Sequence, residues 1–176
     1  MKNKIKRIKN FWEFELYNTL KNHGVRQIPF VPDAGHSVLI NLIEKDPDMK
    51  SIVLTTEEEG VAICCGAWLG GHKSVLLMQS SGVGNCINMF SLLINGNFPF
   101  VTLVTMRGEF GEFNSWQVPM GKAVKKNLKS MGIEVYKCNR VNQVIPTVEA
   151  ALYAAYSSDQ QIAVLFSQRL IGKKEW

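Results

Sequence analysis

No apolar run in the 176-residue sequence approaches the roughly 18–20 residues that a membrane-spanning helix needs. The first residues, MKNKIKRIKNFWEFELYN, are basic, yet they lack the apolar segment and small-residue cleavage site of a secretory signal. Glu13 and Glu15 also come too early for an acid-poor transit peptide. Cysteine is sparse: Cys64, Cys65, Cys86 and Cys138 form no C-x-x-C pair, and the first two are adjacent in a segment of helical pattern. Neither a disulfide framework nor a thiolate metal site is expected, and a reduced, cytoplasmic setting fits this usage. Histidine is sparser still, with His23, His36 and His72 scattered, which argues against a His-rich metal centre. There is no internal repeat, low-complexity stretch or linker.

What is present is enough for a core. Hydrophobic residues make up 46% and charged residues 20%, which excludes a disordered chain. The length suits one domain over 1–176. The net charge is +5, and five basic residues fall in the first nine positions: Lys2, Lys4, Lys6, Arg7 and Lys9. Residues 1–10 therefore read as a solvated basic arm. The remainder is balanced in charge, so no nucleic-acid-binding face is expected.

Short apolar runs alternate with helical patterns along the chain. Residues 11–22 read as a helix presenting Phe11, Phe14 and Tyr17 on one face, and 27–31 as a strand that Pro29 makes irregular. A helix at 36–45 ends before Asp46-Pro47. Strands follow at 51–55, 74–78, 100–105, 133–136 and 162–166. Helices are expected at 58–70, 83–95, from Pro119 to about Met131, and at 141–156. The strands lack polar alternation, as when helices cover both faces of a parallel sheet. The fold class is α/β: a three-layer, doubly wound sheet of about six mostly parallel strands. Ligands of such sheets bind beyond the carboxyl ends of the strands. That directs attention to residues 32–37, 55–60, 79–85 and 106–118.

Each of these segments has a plain structural reading beside a functional one. In Pro32-Asp33-Ala34-Gly35-His36-Ser37, Asp33 or Ser37 can cap a helix, or Asp33 and His36 can face a substrate and move protons. In Thr55-Thr56-Glu57-Glu58-Glu59-Gly60, a Thr cap and an acidic first turn suit the helix dipole. Three carboxylates at a strand's end are still a candidate acid–base site. The Gly-rich stretch Gln79-Ser80-Ser81-Gly82-Val83-Gly84-Asn85 can be a simple turn or can let a ligand approach the backbone. It has neither the third glycine of a dinucleotide fingerprint nor the Gly-Lys-Ser/Thr of a P-loop, which disfavours a mononucleotide-binding protein. In the long segment from Arg107 to Val118, Arg107 can hold an anion or pair with Glu109 or Glu112.

Taken together, TTEEEGVAICCGAWLGG, VLLMQSSGVGNCINMFSLL, RGEFG and QVPMGKA resemble the pyrimidine-binding domain of thiamine diphosphate enzymes. More narrowly they resemble the sulfopyruvate and phosphonopyruvate decarboxylases, where they match the alpha-subunit half. The likeness runs from about Val25 to the end of the chain. It implies a thiamine diphosphate-binding fold. It also implies that a glutamate hydrogen-bonds N1′ of the cofactor's aminopyrimidine and drives its imino tautomer. That role falls on Glu58, with Glu57 and Glu59 as the alternatives if the register slips by one, and Trp68 falls where an aromatic usually follows. Ser81, Gly82, Gly84 and Asn85 are implied at the cofactor, with Val83 where the family's turn has proline. Asp33, His36, Arg107 and Gln117, on the segments beyond the strands' carboxyl ends, are the residues expected at the substrate.

Two positions depart from the resemblance. Thr56 stands where an arginine usually precedes the glutamates, and Met106 where a histidine often precedes Arg-Gly-Glu. The Gly-Asp-Gly and paired asparagines that hold magnesium and diphosphate are also missing. The resemblance therefore implies a split enzyme, in which a beta subunit holds most of the thiamine diphosphate and Mg2+ contacts in a hetero-oligomer. The implied reaction is decarboxylation of an anionic 2-oxo acid, sulfopyruvate or phosphonopyruvate, to an aldehyde. An acyloin-forming carboligase subunit and a non-catalytic regulatory subunit are the alternatives.

Overall fold

A computed structural model describes residues 11–172; the expected basic arm at 1–10 lies outside the described residues. In chain order the elements are α1 (Phe11–Asn22), β1 (Val25–Phe30), α2 (Ser37–Ile43), β2 (Lys50–Val53), α3 (Glu57–Leu69), β3 (Lys73–Ser74) and β4 (Leu76–Gln79). They continue with α4 (Ser80–Asn85), α5 (Phe90–Asn95), β5 (Phe100–Thr105), α6 (Gln117–Ser130), β6 (Glu134–Cys138), α7 (Val141–Ser158), β7 (Gln161–Phe166) and α8 (Gln168–Ile171). A short 3-10 turn, Ala34–His36, leads into α2.

The strands form one parallel sheet in the order β2-β1-β4-β5-β7-β6, with β3 paired to β1 as a seventh, two-residue strand. Alternate side chains leave the two faces. Leu77, Leu103, Val164 and Phe166 pack with α1, α2 and α7. Leu76, Met78, Val104 and Leu165 pack with α3 to α6. Burial of each such side chain contributes about 1.5–3 kcal/mol. This is the three-layer α/β class expected from the apolar runs. In register, Gln79 lies beside Thr105, Thr105 beside Phe166, and Phe166 beside Cys138. Four strands thus end on one line; the segments leaving β4 and β5 carry Ser81–Asn85 and Arg107, and those leaving β1 and β2 beside them carry Asp33 and the glutamates.

Several local expectations need correction. The buried face of α1 is Trp12, Leu16 and Leu20, at i, i+4 and i+8, while Phe14 is half-exposed and its ring meets Tyr17. Phe14 and Tyr17 do share a face, but spacing decides which stripe packs deepest. The single helix expected at 83–95 is two short ones, α4 and α5, separated by a turn at 86–89. Gly82, Gly84, Asn85 and Asn88 are weak helix formers clustered in a short span. Pro29 does sit in an irregular strand. The β1 register shifts between Val25 and Gln27, and its ladder with β3 and β4 resumes only at Phe30 opposite Leu77. Pro29 has no N–H to offer that ladder.

Tyr156 of α7 ties the outer helices to this irregular region. Its hydroxyl accepts from the Ser74 N–H at 3.0 Å and donates to the Ser74 carbonyl. Its ring lies 5.8 Å from the Trp68 ring of α3. Burial raises its phenol pKa, so the hydroxyl stays protonated. Tyr156→Phe leaves both Ser74 backbone groups unpaired, and we expect a loss of about 1–3 kcal/mol in urea unfolding, with the sheet otherwise retained.

Candidate active site

The three adjacent glutamates at the start of α3 have different surroundings. Thr56 precedes the helix in an extended conformation and makes no side-chain cap. The Glu59 carboxylate turns back and accepts from the Thr55 N–H at 2.9 Å. Glu58 is half-buried. Glu57 alone is buried, at 7% exposure, and its Oε2 accepts from Asn85 Nδ2 at 2.8 Å.

Gly82 makes this possible. A β-carbon there would lie 2.5 Å from Cγ, Cδ and Oε1 of Glu57. The turn entered from β4 has no side chain at this point because a carboxylate occupies the space. Of the residues expected at a cofactor, the fold thus brings Gly82 and Asn85 onto Glu57. Ser81 Oγ instead donates to Gln79 Oε1 at 3.1 Å, and Gly84 faces Met120 Sδ. The donor set fits an aminopyrimidine: a buried carboxylate whose Oε2 is fixed by an amide and whose Oε1 is engaged by no described donor.

The residues expected at the substrate are divided by the fold. Asp33 Oδ1 accepts from Gln79 Nε2 at 3.0 Å and its Oδ2 from Thr105 Oγ1 at 2.5 Å. Asp33, Thr105 and Arg107 line a cavity of about 160 Å3, with Gly35, Ile171 and Gly172. His36 is absent from that lining. It is 3% exposed, its Nε2 is 3.1 Å from the Leu103 carbonyl oxygen, and its ring meets Phe166 edge-on. Burial pulls its pKa below the usual imidazole range. His36 is a core side chain, so the expectation that it faces the substrate is corrected. Gln117 begins α6, and its Oε1 is buried without a hydrogen-bond donor among the described residues.

Arg107 is not a free cation. It is 8% exposed, and its Nε and Nη2 hold the two oxygens of Glu112 at 2.7 and 2.5 Å. Glu112 also accepts from the backbone N–H groups of Gly108 and Asn114 and from Gln168 Nε2. Gln168 in turn accepts the Glu109 and Phe110 N–H groups on its Oε1. The loop from β5 to α6 is therefore folded around one carboxylate and one buried amide. Gly108 completes it with φ +74, since a β-carbon there would strike the Gln117 carbonyl oxygen at 2.6 Å. The expected electrostatic pull of Arg107 on an anion is offset by Glu112 and by Asp33 across the cavity. Glu112 was visible only as one of two possible salt-bridge partners, and Gln168 gave no signal, being a lone amide in a short helix that no periodicity announces.

No family model matches the chain. Curated relatives do. The "Sulfopyruvate decarboxylase subunit alpha" of Methanococcus maripaludis is 32% identical over 151 residues, which is 85% of this chain and 90% of that protein. The protein of the same name from Methanocaldococcus jannaschii is 36% identical over 152 residues, 86% of this chain and 90% of that one. The chain belongs to the sulfopyruvate decarboxylase alpha-subunit family. A phosphonopyruvate decarboxylase from Streptomyces viridochromogenes is 30% identical over 145 residues, a span of only 35% of that longer protein. Among solved structures, a 2-oxoglutarate:ferredoxin oxidoreductase from Magnetococcus marinus superimposes with a TM-score of 0.73 at 16% identity, over 93% of this chain and 29% of that one. A thiamin diphosphate-dependent enzyme from Mycobacterium smegmatis, described as putative, gives a TM-score of 0.63 at 16% identity, over 86% of this chain and 29% of that one. At that identity the likeness concerns the fold, which is the one the family expectation named.

In this family member the Glu112 network has a pH signature. Hydrogen bonds from Arg107 hold the Glu112 carboxyl at about 2, below its ordinary 4.5. A depressed carboxyl stabilises the folded state above the ordinary value, and that contribution disappears as pH falls from there through about 2. Glu112→Gln should therefore lower the urea midpoint at pH 7, and the gap to wild type should shrink steadily as pH drops below 4.5. A gap that stays constant down to pH 2.5, roughly the floor of such a titration, would remove the ion pair as its cause.

Proposed function

We propose that this chain is the pyrimidine-binding subunit of a thiamine diphosphate-dependent 2-oxo acid decarboxylase, and that Glu57, in place of the expected Glu58, is its proton-holding glutamate. The observation that carries this reading is the buried Glu57 carboxylate against Gly82, with one oxygen held by Asn85 and the other given no hydrogen bond by the described residues. Bound thiamine diphosphate supplies the electron sink for loss of carbon dioxide. Glu57 would hold or accept a proton at Oε1 for a bound aminopyrimidine. Asn85 fixes the carboxylate's orientation, and Gly82 admits it to the turn. Asp33, oriented by Gln79 and Thr105, is the polar group beside the 160 Å3 cavity that could handle a substrate proton. The substrates in the names of the curated relatives, sulfopyruvate and phosphonopyruvate, are the ones to try first.

The relatives named as alpha subunits support a partner subunit for this chain, and we assign to it the diphosphate and Mg2+ contacts that the sequence motifs here lack. The loop from β5 to α6 supplies a surface for it. Phe110 and Phe113 are half-exposed and Trp116 is 86% exposed, on a backbone that Glu112 and Gln168 hold in place. Preordered aromatics of this kind are typical anchors of protein interfaces.

Both parts of the proposal are testable after co-expression with a beta subunit and assay with thiamine diphosphate, magnesium and a series of 2-oxo acids. Glu57→Gln should reduce turnover by about 10²–10⁴-fold, the span of acid–base groups, while Glu58→Gln should stay within a few-fold of wild type. The reverse ranking would return the role to Glu58. Trp116→Ala should weaken subunit association by about 2 kcal/mol in analytical ultracentrifugation. Unchanged association would place the interface elsewhere.

A further inference from the structure

The carboxyl edge of the sheet has a second opening, whose lining shares no residue with the Asp33 cavity and does not include Glu57. Beyond β5 the chain turns to α6 on one face of the sheet. Beyond β7 it turns to α8, whose Leu170 and Ile171 pack on the other face. β5 and β7 are neighbours, so their loops part here and leave a crevice of the kind in which α/β sheets bind ligands. Met106 and Ser167, the first residues beyond these strands, line a cleft of about 390 Å3 at this point.

Cations converge on the cleft from three elements. Lys122 and Lys125 come from α6, Lys137 from β6, and Arg169 from α8, with Asn139 and Ser167 among the neutral polar side chains of its wall. Glu109 is the one carboxylate in the lining, and it is already bound to Lys137 at 2.6 Å and to the Gln168 N–H at 3.3 Å. Lys122, Lys125 and Arg169 have no carboxylate within ion-pair distance among the described residues. Arg169 instead lies 4.1 Å over the Phe110 ring, which fixes it at the rim.

A solvated basic face is the ordinary explanation of scattered lysines, and two facts oppose it. First, α6 carries Lys122, Lys125, Lys126 and Lys129 and no acidic residue. Its like-charged neighbours at i and i+4 therefore repel without compensation. The chain's net charge of +5 equals the five basic residues of its first nine positions, so this helix stands out against a balanced remainder. Second, the cleft wall is built: Gln168 Oε1 holds the Glu109 and Phe110 N–H groups, so the cations face a fixed backbone and not a loose loop.

We propose that this cleft binds a small anion carrying a phosphate or sulfonate group, with Lys122, Lys125 and Arg169 as its charged contacts and Asn139 and Ser167 as neutral ones. The site is separate from the Glu57 turn, and the proposal does not depend on the decarboxylase reading.

The test is isothermal titration of the full chain, at constant ionic strength, with inorganic phosphate, ethanesulfonate and adenosine 5′-monophosphate. Saturable binding is expected, weakened about tenfold for each of Lys122→Gln and Lys125→Gln, as for loss of one charge-assisted contact. Thermal melts should show both variants folded, because both side chains are exposed. Tighter binding of the nucleotide than of phosphate would identify a phosphate ester as the ligand, and tighter binding of phosphate a free anion. Lys50→Gln, at the far end of the sheet, serves as the charge control. An equal loss in that variant, absence of saturation by any of the three anions, or tighter binding of a poly-glutamate peptide than of phosphate would each overturn the proposal.

Discussion

Both faces of the parallel sheet are covered, by α1, α2 and α7 on one side and by α3 to α6 on the other. Its strands can therefore carry little polar chemistry along their length. The exceptions are local and satisfied: Thr102 Oγ1 donates to the Leu76 carbonyl, and Thr105 Oγ1 to Asp33. All remaining chemistry is pushed to the ends of the strands. Because Gln79, Thr105, Phe166 and Cys138 are in register, those ends form one level edge. The Glu57 turn, the Asp33 cavity and the basic cleft all open along it.

Two carboxylates on that edge differ in how far their surroundings saturate them. Glu112 receives five hydrogen bonds, from Arg107 twice, Gly108, Asn114 and Gln168. It is saturated, locked in the charged form and suited to holding a loop. Glu57 has one described donor and one open oxygen in a comparably buried place. A buried acceptor left with spare capacity is a poor fastener and a good ligand for an incoming donor. The two sites also depend on one another. The Arg107 N–H bonds Ser80 Oγ at the head of the α4 turn, so the Glu112 loop is pinned to the turn that admits Glu57.

Much of this was legible from residue order. The continuous apolar runs at 100–105 and 162–166 read as buried parallel strands, and the structure has β5 and β7 there, while the single strand expected at 74–78 is broken at Val75 into β3 and β4. The glutamates, the glycine stretch and Arg107 do follow the carboxyl ends of β2, β4 and β5, although the glycine stretch is the short helix α4. Which glutamate faces inward was not legible, because three identical side chains at the start of a helix differ only in the angle at which the helix docks. His36 misled for a related reason: an imidazole near a strand's end looks reactive until its neighbours, Leu103 and Phe166, are known. Arg107 looked free because its partner five residues on could equally have been Glu109.

Sequence alone therefore determined the layering, the strand and helix alternation, and the set of loops that could carry chemistry, since these follow from the period and continuity of apolar residues. Only the tertiary structure decided that Glu57 meets Gly82, that Glu112 closes on Arg107 and Gln168, and that cations from α6, β6 and α8 share one cleft. Those outcomes depend on helix rotation and on contacts between residues as much as 59 positions apart. No local pattern encodes such contacts, because burial and hydrogen-bond saturation are properties of the packed chain.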